Sequence, residues 1–199
     1  MTTLFLARHG QSTWNAQQRW QGQADPPLSE LGRQQAWSAS AAVGTVDLIF
    51  ASPQQRALET ATIISQAVGV GPVIAVEGLR ERSAGAWSGL TKDDIEEQFP
   101  GWLANDQRPD DFESDEDLLA RVLPALDSIA AEGAGGAILV VCHGGVIKAV
   151  ENHLGLEDGR VPNLSGRVLK SKGPGKWLAG QQIQLLESDQ ATGGDGTRV

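Results

Sequence analysis

Three short runs of nearly continuous apolar residues punctuate the chain, and each stops at a polar or glycine step. Leu4-Phe5-Leu6-Ala7 ends at Arg8, residues 47–51 end at Ser52-Pro53, and residues 137–142 end at His143-Gly144-Gly145. Runs without polar alternation suit strands covered on both faces, as in a parallel sheet. Residues 73–76, 167–169 and 177–186 are weaker strand candidates.

Helical patterns lie between these runs. Ser29 can cap a helix to about residue 43. Ser52 as cap, with Pro53 at the first helical position, would open a helix to about residue 68. Ala57, Ala61, Ile64 and Val68 give it an apolar stripe at spacings of three and four. Thr91 can cap a short helix through Phe99, with Asp93, Asp94, Glu96 and Glu97 favouring its N-terminal end. Ser114 can head a longer helix towards Ala131, which Pro124 should kink or restart. Residues 144–154 predict another helix.

Strand–helix alternation predicts an α/β fold, a three-layer α/β/α sandwich around a mostly parallel central sheet. No internal repeat or linker breaks the pattern. Residues 1–188 are expected to form one domain, and 189–199, without apolar periodicity, a mobile tail.

Composition narrows the functions. With 40% hydrophobic and 21% charged residues, the chain has an ordinary globular balance. Its net charge of -9 disfavours nucleic acid and anionic membranes as partners, since both require surplus Lys and Arg. An anionic ligand would be repelled at long range, so its site must concentrate positive charge locally. The lone Cys142 excludes an intramolecular disulfide and a Cys-rich zinc site. No run approaches the roughly 18 apolar residues of a spanning helix. Residues 1–7 lack the basic start of a signal peptide, so a cytoplasmic location is expected.

Two of the three histidines directly follow apolar runs, in Arg8-His9-Gly10 and His143-Gly144-Gly145. Open α/β sheets bind ligands outside the carboxyl ends of their strands. Arg8, His9 and His143 would fall there, and Arg56, a helical turn past Ser52-Pro53, would point to the same edge. That local positive site suits a phosphoryl group, whose oxygens match guanidinium forks and the N–H groups of a helix start at Gly144.

Blander readings exist for each residue. His9 could be a strand-end surface residue, Arg56 could make a weak surface ion pair, and Asn15 could cap a turn. Arg80 or Arg82 could pair with Glu81. Cys142 is expected as a buried small apolar residue, His153 on a solvated face, and Trp37 and Trp177 in the core. Trp14, Trp20 and Trp102 fit a pocket or the core equally. The acidic run at 110–117 is most simply a solvated helix start.

Five blocks, in order, are similar to one family. They are Leu6-Ala7-Arg8-His9-Gly10-Gln11-Ser12-Thr13-Trp14-Asn15; residues 22–32 followed by Gln35-Ala36; Ser52-Pro53-Gln54-Gln55-Arg56-Ala57-Leu58-Glu59-Thr60-Ala61; Leu79-Arg80-Glu81 with 85–91; and Val141-Cys142-His143-Gly144-Gly145. Over residues 4 to about 165 the chain resembles the histidine phosphatase superfamily, also called phosphoglycerate mutase-like. Gln11 stands where Glu is common in that family. The resemblance implies His9 as nucleophile, forming a phosphohistidine. Arg8, Arg56, Asn15 and His143 would hold the phosphoryl oxygens, and Glu81 would protonate the leaving group, then activate water. It implies no metal and no cofactor. Gly144, Gln21, Gly22, Gln23 and Arg82 are the further candidates for substrate contact. Glu113-Ser114 resembles a Gly-Glu-Ser element at the rim of some members' sites, with Phe112 in place of the glycine.

The chemistry is consistent with these roles. An imidazole attacks through a neutral nitrogen, and nearby guanidinium groups disfavour its charged form. An alkoxide leaves more easily when an acid protonates it.

Phosphatase and mutase readings both fit. Gly85-Ala86 and Gly89-Leu90-Thr91-Lys92 resemble a mutase, but Ser83-Ala84 stands where mutases carry His-Tyr, and only Arg108-Pro109 lies where they have a longer arginine-bearing insert. A short insert leaves the site open to water, which favours the phosphatase. A noncatalytic phospholigand sensor is a third reading. The expected partner is a small phosphorylated metabolite: a phosphosugar, a phosphoglycerate derivative, phosphoserine or a nucleotide-loop phosphate of cobalamin synthesis. Residues 17–23 and 82–117 are the candidate selectors. A homodimer is left open.

Overall fold

A computed structural model describes residues 1–156 and 159–186. The expected tail, 189–199, lies outside them, as does the end of the expected domain at 187–188. In chain order the elements are β1 (Thr3–Arg8), α1 (Thr13–Ala16), α2 (Glu30–Ala39), β2 (Leu48–Ala51), α3 (Gln55–Val68), β3 (Val73–Ala75), α4 (Lys92–Gln98), α5 (Asp115–Glu132), β4 (Ala137–Cys142), α6 (Gly144–His153), β5 (Ser165–Ser171) and β6 (Trp177–Gln184).

The strands form one six-stranded sheet in the order β3-β2-β4-β1-β5-β6. Neighbours from β3 to β1 run parallel, whereas β5 is antiparallel to β1 and β6 to β5. This is the mostly parallel α/β sheet that the apolar runs predict. Alternate residues of β4 serve two cores. Ile138, Val140 and Cys142 pack with Leu118, Val122 and Leu126 of α5 and with Val146 and Val150 of α6. Leu139 and Val141 pack with Ala39 of α2 and with Ala57, Ala61 and Ile64 of α3. A strand feeding both helical layers has no polar face to show, which is why its sequence does not alternate.

Helix starts follow side-chain chemistry. Ser29 accepts from Gly32 N–H at 3.0 Å, and Ser114 accepts from Asp117 N–H at 3.0 Å. Thr91 and Asp94 cap each other reciprocally at the start of α4. Two expectations need correction. First, α3 starts at Gln55 with Gln54 as cap, so Ser52 is not the cap and Pro53 is not its first residue. Ser52 N–H still bonds Val141 O at 2.9 Å, and the chain must leave the sheet before it can coil. Second, α5 runs unbroken through Pro124. Leu118 and Val122 before it, and Leu126 and Ile129 after it, are all buried, so packing on both sides outweighs the one lost hydrogen bond.

Trp37 is 63% exposed, against the expectation of a core residue. The inward face of α2 carries Gly32, Gln35, Ala36 and Ala39, and position 37 falls outside that phase. Trp177 is partly buried against the α5/α6 core. His153 is exposed, and Cys142 is fully buried, which pushes its thiol pKa up. No helix among the described residues is long and apolar enough to cross a membrane.

A third, smaller core joins Trp20 to Ala84, Trp87 and Ile95, with Phe99, Trp102 and Phe112 against it. The Trp20 and Trp87 rings meet edge-on with centroids 5.2 Å apart. This aromatic unit forms part of the wall of the site.

Candidate active site

Strand register creates the centre. Arg8 and Cys142 are partners across the parallel β1/β4 pair, and His9 N–H extends the ladder to Cys142 O at 3.0 Å. The next residue along each strand is a histidine. His9 and His143 therefore leave the sheet side by side, with ring centroids 5.2 Å apart.

The hydrogen bonds fix the His9 tautomer. Nδ1 lies 2.6 Å from Gly10 O, and a carbonyl only accepts, so Nδ1 carries the proton. The Nε2 lone pair accepts from Arg56 Nε at 3.2 Å. Arg56, in the first turn of α3, also donates to Ala24 O at 2.8 Å and Gly22 O at 2.9 Å. Its full burial lowers its pKa to about 10, so it remains a cation at neutral pH. Arg8 is buried and donates from Nη1 to Val161 O at 2.8 Å.

His143 is fully buried, and neither ring nitrogen has a hydrogen-bond partner. Burial first, then the nearby Arg56 and Arg8 guanidinium groups, hold its pKa well below the usual histidine range. It is a neutral imidazole with one N–H to donate.

Glu81 follows a 3-10 turn at Glu77–Leu79. Its own N–H donates to Gln54 Oε1 at 2.7 Å. Its carboxylate oxygens accept from the N–H groups of Arg82 at 2.8 Å and Gly145 at 3.1 Å. A Cβ on Gly145 would sit 2.5 Å from Glu81 Oε1, so only glycine allows this approach. The feared competitors are engaged elsewhere. Arg80 pairs with exposed Glu77, and the Arg82 side chain bonds Asp115 and Glu113 O.

One cavity gathers all of these groups except His143, which is off the lining with its ring 5.2 Å from that of His9. Arg8, His9, Arg56 and Gly144 line it together with Gln21, Gly22, Glu81 and Arg82, and Trp20, Ala84 and Phe112 contribute apolar surface. Most of the expected site residues therefore converge. Gln23 does not: it is exposed and off the lining. Gly22, at φ +50°, presses against Ala84 and turns the next residue outward. Asn15 is also off the lining. It is fully buried and its Oδ1 accepts from Ser12 N–H at 3.1 Å, the local turn role, while its Nδ2 has no partner. Ser12 Oγ in turn donates to Gln21 Oε1 at 2.7 Å, so α1 supports the wall rather than facing the ligand.

Sequence reasoning missed Gln54, although it lies inside the quoted Arg56 block, and named Ala84 and Phe112 only as departures from family motifs, not as lining of the cavity. Among the described residues, no three His, Cys, Asp or Glu side chains gather as a metal-ligand set.

Residues 4–169 match the histidine phosphatase superfamily (branch 1). A metal-independent phosphoserine phosphatase of Arabidopsis thaliana is 35% identical, over 75% of this chain and 67% of its own. A 2,3-bisphosphoglycerate-dependent phosphoglycerate mutase of a Methylobacterium species is 36% identical, over 81% of this chain and 85% of its own. Among solved structures, a mycobacterial glucosyl-3-phosphoglycerate phosphatase in complex with VO3 superposes with a TM-score of 0.79 at 31% identity, covering 89% of this chain and 96% of its own. The chain belongs to the histidine phosphatase superfamily.

Proposed function

We propose that the protein is a metal-independent phosphatase that hydrolyses a small phosphomonoester through a phosphohistidine at His9 Nε2. The observation that carries this reading is the buried His9, with its Nε2 lone pair toward Arg56, in the same cavity as the Glu81 carboxyl.

In the first half-reaction Nε2 attacks phosphorus while Glu81, protonated, gives its proton to the departing oxygen. In the second, Glu81 takes a proton from water as the water attacks the phosphohistidine, and inorganic phosphate leaves. Arg8, Arg56, the N–H of neutral His143 and the Gly144 backbone hold the oxygens over which transition-state charge spreads. A hydrogen bond to a charged group is worth about 1.5–3 kcal/mol, so a few such donors account for several powers of ten in rate.

The phosphatases among its relatives support hydrolysis, and the mutase relative keeps phosphoryl transfer to a second hydroxyl as an alternative. The position of Arg108 favours hydrolysis. It lies 5.3 Å from the Trp87 ring centroid and 5.7 Å from that of Phe112, and it does not line the cavity. Among the described residues, no cation beyond Arg8, Arg56 and Arg82 lines the site to receive a glycerate carboxylate. The noncatalytic reading has no missing residue to support it.

The test is p-nitrophenyl phosphate hydrolysis in EDTA, beside His9→Ala, followed by a panel of phosphosugars, phosphoglycerates and phosphoserine. Wild-type turnover that His9→Ala abolishes is expected; equal turnover in both proteins rejects the reading. Strong formation of 2-phosphoglycerate from 3-phosphoglycerate and 2,3-bisphosphoglycerate would favour the mutase. We assign the reaction to the cytoplasm, in keeping with the lone buried Cys142, and cell fractionation tests this.

A further inference from the structure

Glu81 lies on the segment between the 3-10 turns at Glu77–Leu79 and Gly85–Trp87, yet a proton donor must be held to within a fraction of an ångström. Arg121, which reaches the loop from α5, meets that need. Its guanidinium offers five N–H donors, and five acceptors surround it. Nη1 donates to Gly78 O at 3.0 Å and Arg80 O at 2.7 Å, and Nη2 to Glu81 O at 3.0 Å. Nε and Nη2 bond the two carboxylate oxygens of Glu113, both at 2.8 Å. Glu113 Oε2 also accepts from Ser83 N–H at 2.9 Å, on the far side of Glu81. Burial opposes ionisation of Glu113, but the Arg121 and Ser83 bonds outweigh it and hold its carboxyl below the usual range. The Glu81 residue is thus fixed at its carbonyl by Arg121, at its N–H by Gln54, and on both flanks by the Arg121–Glu113 pair.

We propose that Arg121, anchored by Glu113, is a positioning residue that aims the Glu81 carboxyl at the leaving oxygen. It lies outside the cavity lining. The inference rests on the phosphatase reading, because it acts through the acid–base role of Glu81.

Leaving-group chemistry separates positioning from plain structural support. A departing alkoxide needs the acid, whereas 2,4-dinitrophenolate leaves unaided. Phosphoenzyme formation is therefore measured in single turnovers with phosphoserine and with 2,4-dinitrophenyl phosphate, for wild type, Arg121→Gln, Glu81→Gln and the double variant. Arg121→Gln is expected to slow phosphorylation by phosphoserine by about tenfold or more, within the range of general-acid catalysis, and by 2,4-dinitrophenyl phosphate by less than about threefold. Added to Glu81→Gln, it should produce less than about a twofold further loss, the non-additivity of residues acting as one unit. Glu113→Gln keeps the guanidinium and should show the same selective loss in milder form, so it carries the test if Arg121→Gln melts below the assay temperature.

Equal losses on both substrates, or a full additional loss in the Glu81→Gln background, overturn the proposal while leaving the phosphatase reading intact. A wild-type protein that never labels on His9 overturns both.

Discussion

Arg56 Nε donates to His9 Nε2 at 3.2 Å, which sets a fixed positive charge against the nitrogen that takes the phosphoryl group. The same guanidinium holds the carbonyls of Gly22 and Ala24, so one side chain both holds the nucleophile and ties down the 22–24 loop. A lysine keeps the charge but cannot reproduce the fork. Arg56→Lys should lower kcat/KM by about 100-fold or more, the scale of losing a preorganised donor. Steady-state kinetics checks this, and activity within threefold of wild type would refute it.

Gly145→Ala tests the glycine beside Glu81. The new Cβ would meet Glu81 Oε1 at 2.5 Å, and the flexible carboxylate, not the helix, must yield. The variant should melt within a few degrees of wild type yet lose about tenfold or more in kcat with phosphoserine, as expected when a general acid is displaced. Unchanged kcat would show that the carboxylate's position is unimportant.

His143 makes stability depend on pH. Its folded pKa lies well below the ordinary value of 6.5, so below about pH 6.5 the unfolded chain takes up a proton that the folded protein refuses. Stability must fall as pH drops below that value, at up to about 1.4 kcal/mol per pH unit until the folded pKa is reached. His143→Gln should flatten this part of the profile. Thermal melts of both proteins from pH 8 to pH 5 test it; parallel curves would contradict the assignment.

Two tryptophans should respond oppositely to truncation. Trp87 is fully buried among Trp20, Phe99 and Phe112, and Trp87→Ala should cost about 3–5 kcal/mol. Trp37 is exposed, and Trp37→Ser should change stability by less than about 0.5 kcal/mol. Denaturant unfolding measures both.

The contrast between those residues shows what the sequence could reveal. The run at 137–142 was legible because a strand covered on both faces writes its environment into every residue. His9 and His143 were legible because they end such runs. Trp37 departs from the core expectation because the helical phase that Ala36 and Ala39 set leaves position 37 outside. Ser52 and Pro53 carry a helix-start signature, but a ladder bond to Val141, invisible in the sequence, delays the turn. Asn15 was placed near the phosphate by resemblance, yet its capping bond with Ser12 is the contact the structure contains. Arg121 had no local signal at all, since each of its acceptors is brought to it by tertiary folding.

The strand order also dictates when the His9–His143 pair can come into being. β4, the last parallel strand to be synthesised, takes the middle position between β2 and β1. A ribosome-bound chain therefore exposes its nucleophilic imidazole early, with the companion imidazole still unmade and the sheet open where it will arrive. Contacts that join such remote segments form late and slowly. Competence should appear abruptly, with insertion of the central strand, which leaves partly made chains unable to hydrolyse phosphoesters.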